Sequence, residues 1–138
     1  MLRGLRVKAI LVGIVAGFFA GAIWSIAASL VLRPLITQAG SPANALASSP
    51  TFVLISLVGA VGSALVAGWV TARMTIGAEV LNSVAVGVVI VLLSAVLFMP
   101  LGMNEWPLWY NVPAFALTVP FSLLGGVIRR NTRSGNDS

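Results

Sequence analysis

Four long runs without a charged residue dominate this sequence. They cover residues 9–32, 51–72, 80–99 and 108–128. At about 1.5 Å per residue, each run forms a helix of roughly 30 to 36 Å, long enough to cross a hydrocarbon layer of about 30 Å. Backbone amides in lipid must be bonded within their own segment, so runs of this length predict spanning helices. The sequence therefore predicts an all-α membrane protein, a bundle of four transmembrane helices.

The composition excludes the soluble classes and much of metal and redox chemistry. Only 8% of the residues are charged, about a third of the share usual in soluble domains. That is too little charge to cover a surface that faces water. The chain contains no Cys and no His, which excludes disulfides, thiol nucleophiles and Cys/His sites for zinc or haem. We expect neither a metal ion nor a cofactor.

The runs divide a single membrane domain, residues 1–138, into helices and connections. An outer loop covers residues 33–50, and a tail covers residues 129–138. Proline stands at several boundaries (Pro34, Pro50 and Pro100), where its missing N–H and its ring stop a helix from continuing. Within the outer loop, Ser41 and Pro42 predict a short surface helix that ends near residue 47. The first run is too long for a cleaved signal peptide, so we interpret it as an uncleaved helix.

Basic residues predict the orientation. One side of the membrane receives seven of them: Arg3, Arg6, Lys8, Arg73, Arg129, Arg130 and Arg133. The other side receives Arg33, together with Glu105. The positive-inside rule places both termini in the cytoplasm of a cell whose inner membrane holds the protein. The excess charge also predicts attraction to anionic lipid headgroups, whereas the basic tail is too sparse to favour nucleic-acid binding.

Aromatic residues lie near the predicted ends of the helices. Trp106, Trp109 and Tyr110 cluster where the fourth helix enters from the outer side, and Trp69 lies one turn from the cytoplasmic end of the second. Amphipathic rings favour the headgroup region, so we interpret these four residues as interface anchors. A binding role for the outer cluster is the alternative.

Small residues recur at every fourth position of the first helix: Gly13, Gly17, Gly21, Ser25 and Ser29. Helices in lipid associate through close backbone contact, which small residues allow. We therefore predict helix packing at Gly13, Gly17, Gly21 and Ser25, and also at Gly68 in the second helix and Gly126 in the fourth. Similar pairs, Ser83/Gly87 and Ser122/Gly126, occur in the third and fourth helices.

Two further patterns concern the helices as units. Residues 65–70 resemble residues 123–128, so the chain could consist of two repeated helical hairpins; chance recurrence of Gly, Leu and Val is the alternative.

Pro120 stands in the middle of the fourth run and predicts a kink. We interpret this kink as structural, with a gating hinge as the alternative.

The sequence offers little for catalysis. No ionisable residue lies in the central part of a run, and the three carboxylates, Glu79, Glu105 and Asp137, form no acid–base pair. The sharpest local hypothesis is a polar cluster of Arg73, Glu79 and Asn82, with headgroup contact or helix docking as the alternative. We therefore expect no enzymatic activity.

One resemblance covers nearly the whole chain. It rests on residues 15–19 (Val-Ala-Gly-Phe-Phe), residues 62–73 (Gly-Ser-Ala-Leu-Val-Ala-Gly-Trp-Val-Thr-Ala-Arg), Val86-Gly87, residues 105–109 and residues 124–126. In these features the chain resembles a group of small bacterial inner-membrane proteins with four spans and a Gly-Gly-x-x-Ala-Ala-Arg motif. Ala67 and Thr71 depart from that motif. The resemblance implies the four-span architecture and no activity.

Two functional hypotheses follow. The first is a membrane protein that packs its helices or binds a partner, such as a second copy or another membrane protein, within the lipid bilayer. The alternative is a passive transporter or channel for a small neutral solute. A channel requires small or polar residues along an open path, whereas a packing protein buries those residues against another helix.

Overall fold

The computed structural model describes residues 5–38, 49–98 and 108–134, which contain four helices. In chain order these are α1 (Val7–Gln38), α2 (Pro50–Arg73), α3 (Glu79–Phe98) and α4 (Leu108–Ser134). Each is long and apolar enough to cross a membrane. The predicted all-helical bundle of four spans is confirmed. The short surface helix expected before residue 47 lies outside the described residues.

Two helices extend beyond their predicted ends. Helix α1 runs through Pro34 to Gln38 instead of ending at residue 32, and α4 runs to Ser134 instead of ending at residue 128. A helix that is already formed can pass a proline at the loss of one backbone hydrogen bond. In α4, arginine is a good helix former, and its charge is favourable near the C-terminal end of the helix dipole.

Small side chains occupy the interior and large apolar side chains lie outside. The buried apolar residues are mostly alanines, among them Ala64, Ala67 and Ala72. Phe18 and Leu30 of α1 are 70% and 72% exposed. A soluble protein has the opposite arrangement. In lipid it is favourable, because hydrocarbon chains cover the large side chains while small residues let the helix backbones approach.

Helix α2 is central in the bundle. It packs along α1 on one side and along α4 on another, and α3 packs against both α4 and α2. Consecutive helices pack against each other, but the most extensive interface joins α2 and α4, which are not consecutive and run in the same direction. The reason is the pair of glycine contacts described below.

Three chain segments meet at one end of the bundle. The backbone N–H of Arg6, just before α1, donates to the Asn82 side chain at 2.8 Å, and Arg133 of α4 lies 3.3 Å from the carboxylate of Glu79. The turn between α2 and α3 lies here as well, with Gly77 at a φ of +86° that favours glycine. We call this the basic end. Its described cations are Arg6, Lys8, Arg73, Arg129, Arg130 and Arg133.

Candidate functional site

The glycine row of α1 contacts α2. A Cβ atom placed on Gly17 would lie 2.8 Å from the Cβ of Ala67 and 3.1 Å from the carbonyl oxygen of Ser63. At Gly13 the added Cβ would overlap the Thr71 hydroxyl and lie 2.9 Å from the carbonyl oxygen of Ala67. Neither position has room for a methyl group, so glycine sets the distance between these two helices.

Towards the C-terminal end of α1, the row of small residues no longer lies in the contact with α2. A Cβ on Gly21 would lie 3.6 Å from the Cβ of Ser63, an ordinary van der Waals distance. Ser25, predicted to continue the row, is exposed, and Ala28 is buried. Four residues turn a helix by about 400°, so a row at this spacing winds away from a straight contact face. Ser25 therefore lies outside the α1–α2 contact, and its role in helix packing stays a prediction.

A tryptophan continues the α1–α2 contact where the glycines end. The indole N–H of Trp24 donates to the carbonyl oxygen of Ile55 at 2.9 Å. Its ring covers Gly59, where an added Cβ would overlap the ring and lie 2.8 Å from the indole Cγ atom. The sequence predicted no packing partner for Trp24. The available signal was Gly59 itself, since a wide ring against a helix needs a position without a side chain.

Two glycines set the approach of α2 and α4. A Cβ on Gly68 would overlap the carbonyl oxygen of Ser122 and lie 2.6 Å from its carbonyl carbon. A Cβ on Gly125 would overlap the carbonyl oxygen of Leu65 and lie 2.8 Å from the amide nitrogen of Trp69. The two contacts correspond, because each glycine meets the residue three positions before the other glycine. Backbone lies directly against backbone here.

This correspondence bears on the proposed repeat. Sequence comparison aligned Gly68 with Gly126, whereas the packing pairs Gly68 with Gly125, one residue earlier. Gly126 instead faces α3, where an added Cβ would lie 2.7 Å from the Cβ of Ser83. Successive helical residues point about 100° apart, so Gly125 contacts α2 while the adjacent Gly126 contacts α3. The repeat stays a hypothesis, with its alignment shifted by one residue.

Hydroxyl groups join the helices inside the bundle. Ser122 of α4 donates to the carbonyl oxygen of Ser83 at 2.9 Å, and Ser83 of α3 donates to the carbonyl oxygen of Gly68 in α2 at 3.0 Å. Thr71 donates to Ala67 in its own helix at 2.8 Å and reaches the carbonyl oxygen of Ala9 in α1 at 3.4 Å. These three hydroxyl residues are fully buried. Thr71 was missed, although it continues the Gly59, Ser63, Ala67 row by four residues.

The three residues of the predicted polar cluster lie at the basic end but have other partners. The guanidinium of Arg73 lies over the Trp69 ring, 5.5 Å from its centroid. Glu79 pairs with Arg133, and the buried Asn82 accepts from the Arg6 amide and donates to Ala78 at 2.8 Å. The sequence analysis did not consider Arg133 as a partner of Glu79 because the fourth helix was expected to end before it. Within the predicted cluster, Glu79 therefore pairs with Arg133 and not with Arg73.

The structure describes some of the predicted aromatic anchors and not others. Trp69 is half-buried beside Arg73, and Tyr110 is half-buried in the first turn of α4. Trp109 belongs to the same turn, and Trp106 lies outside the described residues. Their role as interface anchors stays a prediction. The kink at Pro120 also stays a prediction. Helix α4 is one continuous helix through Pro113 and Pro120.

These features define what the site can do chemically. The buried polar groups are hydroxyls and one amide, all with hydrogen-bond partners in the described part of the chain. Residues 5–38, 49–98 and 108–134 contain no group of three carboxylate, His or Cys ligands that could hold a metal ion. The arrangement is suited to holding helices together. Comparison with protein-family models, curated proteins and solved structures found no match to this chain.

Proposed function

We propose that the chain is a non-enzymatic multi-pass protein of a bacterial inner membrane that acts in assembly, as a packed four-helix unit that associates with a second copy. The observation that carries this proposal is the use of the small residues. Gly13, Gly17, Gly68 and Gly125 meet neighbouring helices so closely that no methyl group fits. Such contacts build a solid bundle whose outer faces remain for lipid and for a partner.

A passive channel is supported less well by the same residues. A neutral solute would need a path lined by small or polar groups, and these groups are occupied in helix contacts. The hydroxyls of Ser83 and Ser122 bond to the neighbouring helices, and Gly87 of α3 faces α4, 3.1 Å from the Cα of Val119 for an added Cβ. Helix packing therefore uses these two hydroxyl groups and this glycine.

Association with a second copy requires a surface outside the bundle. Gly62 of α2 offers one, because it is exposed and an added Cβ would meet nothing within 4 Å. It lies on the face of α2 that also exposes Leu54, Val58 and Val66. An exposed glycine between large apolar residues lets the backbone of another helix approach closely. We place the contact between the two copies on this face.

The orientation in this proposal has both termini in the cytoplasm. The described cations other than Arg33 gather at the basic end, where the start of α1, the α2–α3 turn and the end of α4 meet. Positively charged segments are retained on the cytoplasmic side of bacterial membranes. The absence of enzymatic activity is proposed because Glu79, the carboxylate in the described residues, is held in an ion pair with Arg133.

Cysteine crosslinking tests the association. The chain contains no Cys, so Gly62→Cys introduces a unique thiol on the proposed contact face. Under mild oxidation in native membranes, we expect a disulfide-linked product of twice the chain mass. Val88→Cys, on the exposed face of α3 (41% exposed), is the matched control and should stay monomeric. A crosslinked product of another mass would indicate that the partner on this face is a different membrane protein and not a second copy.

Two results would contradict the proposal. One is equal crosslinking at both positions, which would indicate random collision in the bilayer. The other is a monomeric Gly62→Cys protein that, once reconstituted, lets a neutral solute enter proteoliposomes faster than protein-free vesicles. The latter result would favour the channel.

A further inference from the structure

An open groove of about 590 Å³ lies beside α3 at the basic end of the bundle. Its wall is formed by Val80, Leu81 and Val84 of α3, and its rim carries Glu79 and Arg130 of α4. The volume is within the range of about 300 to 1,000 Å³ that is typical of small-molecule sites. The groove therefore combines an apolar wall with charged groups at one end.

The charges at the rim leave one cation available. The carboxylate of Glu79 is bound by Arg133 at 3.3 Å, so its negative charge is balanced. Arg130 is exposed and has no acidic partner among the residues that the structure describes. With Arg73 and Arg129 at the same end, the surroundings of the groove are positive. This complements an anionic group at the rim.

The apolar wall continues into the part of the bundle that faces lipid. Val84 lies five residues after Glu79, which is about 7.5 Å deeper along α3. The same helix face continues through the exposed residues Val88 and Leu92. An occupant with a charged head at Arg130 would thus extend an apolar tail along α3. A free anion would leave the wall uncovered.

We propose that this groove binds one anionic phospholipid, with its phosphate at Arg130 and an acyl chain along Val80, Leu81 and Val84. Basic pockets at the cytoplasmic side of membrane helices suit such headgroups. The inference rests on the proposed membrane location of the chain. It turns the general attraction of a basic surface for anionic lipid into a defined site with one principal cation.

Native mass spectrometry of the full chain in detergent tests the site. The protein is titrated with dioleoyl phosphatidylglycerol and, separately, with dioleoyl phosphatidylcholine, which has the same acyl chains. We expect the anionic lipid to bind about fivefold more tightly, the factor typical of one arginine near a lipid surface. Arg130→Gln should reduce this preference to less than twofold, and Arg130→Lys should retain most of it.

Arg129→Gln is the matched control. It removes the same charge from the adjacent residue, which points about 100° away around α4, and should keep the fivefold preference. A second variant, Leu81→Trp, fills the groove at a position that is 45% exposed and leaves every charge in place. It should lower the binding of both lipids at least fivefold, whereas Ile23→Trp, on an exposed face of α1 (67% exposed), should leave it unchanged.

Three outcomes would overturn the inference. They are equal binding of the two lipids, equal losses in Arg129→Gln and Arg130→Gln, and displacement of the anionic lipid by millimolar inorganic phosphate, which would assign the site to a free anion. Helical circular dichroism and a single elution peak check that each variant folds. The measurement in detergent depends neither on crosslinking nor on orientation, so a failure here is distinguishable from a failure of the proposed function.

Discussion

Gly68→Ala is expected to destabilise the detergent-purified protein by about 3 kcal/mol, the upper end of the usual range for an overpacked core. The added methyl group would overlap the carbonyl oxygen of Ser122 and lie 2.8 Å from its Cα atom. These are backbone atoms of α4, and no side-chain rotation can move them away. Helices α2 and α4 must therefore separate. Thermal unfolding followed by circular dichroism measures the loss.

The control for this prediction is the same substitution at a glycine that has room for a methyl group. At Gly21 of α1 an added Cβ would lie 3.6 Å from the Cβ of Ser63, an ordinary van der Waals distance, so Gly21→Ala should leave the unfolding temperature unchanged or raise it slightly, since alanine is the better helix former. If both variants unfold at the same temperature as the unmodified protein, α2 and α4 do not pack at Gly68.

Gly17→Leu is expected to have a similarly large effect at the contact of α1 with α2. Already the Cβ would lie 2.8 Å from the Cβ of Ala67, and the rest of the leucine side chain has to enter the same space. We expect a loss of about 3 kcal/mol or more, as overpacking in this contact forces the backbones apart. Unfolding temperature in detergent measures it, together with the fraction of protein that elutes as a single species.

Ser25→Leu tests whether the effect belongs to the contact or to the row of small residues. Ser25 lies in the same four-residue row as Gly17 but is exposed, so leucine there should be tolerated with little change in unfolding temperature. Equal destabilisation by the two substitutions would mean that the whole row packs, as the sequence alone suggested. An unchanged Gly17→Leu protein would refute the α1–α2 contact.

The spans could be predicted from the sequence because their signal is long and cumulative. Runs of 20 or more uncharged residues leave few alternatives to a spanning helix. The ends were less predictable. Pro34 and the arginines after residue 128 mark where the apolar run stops, but a helix can continue into the headgroup region as long as its backbone bonds are satisfied. For α1 and α4 it does, to Gln38 and Ser134.

The partners within the bundle could not be predicted from the sequence. Small residues indicate where a helix can approach another, but which helix depends on rotation about the helix axis. Gly125 and Gly126 are adjacent in sequence and face α2 and α3 respectively. In the same way the sequence grouped Glu79 with Arg73 and Asn82, which are near it in the chain, whereas its partner Arg133 lies 54 residues away. Local spacing contains no information about such distant pairs.

Labelling of single cysteines in sealed membrane vesicles tests the central claim, that this chain crosses a lipid bilayer with its basic end in the cytoplasm. Ser134→Cys lies at the end of α4 and Ser49→Cys immediately before α2, at opposite ends of the bundle. With a membrane-impermeant maleimide, Ser134→Cys should react in inverted vesicles and Ser49→Cys in right-side-out vesicles, each only there until detergent is added. Equal reaction of both positions in both kinds of vesicle would contradict the claim.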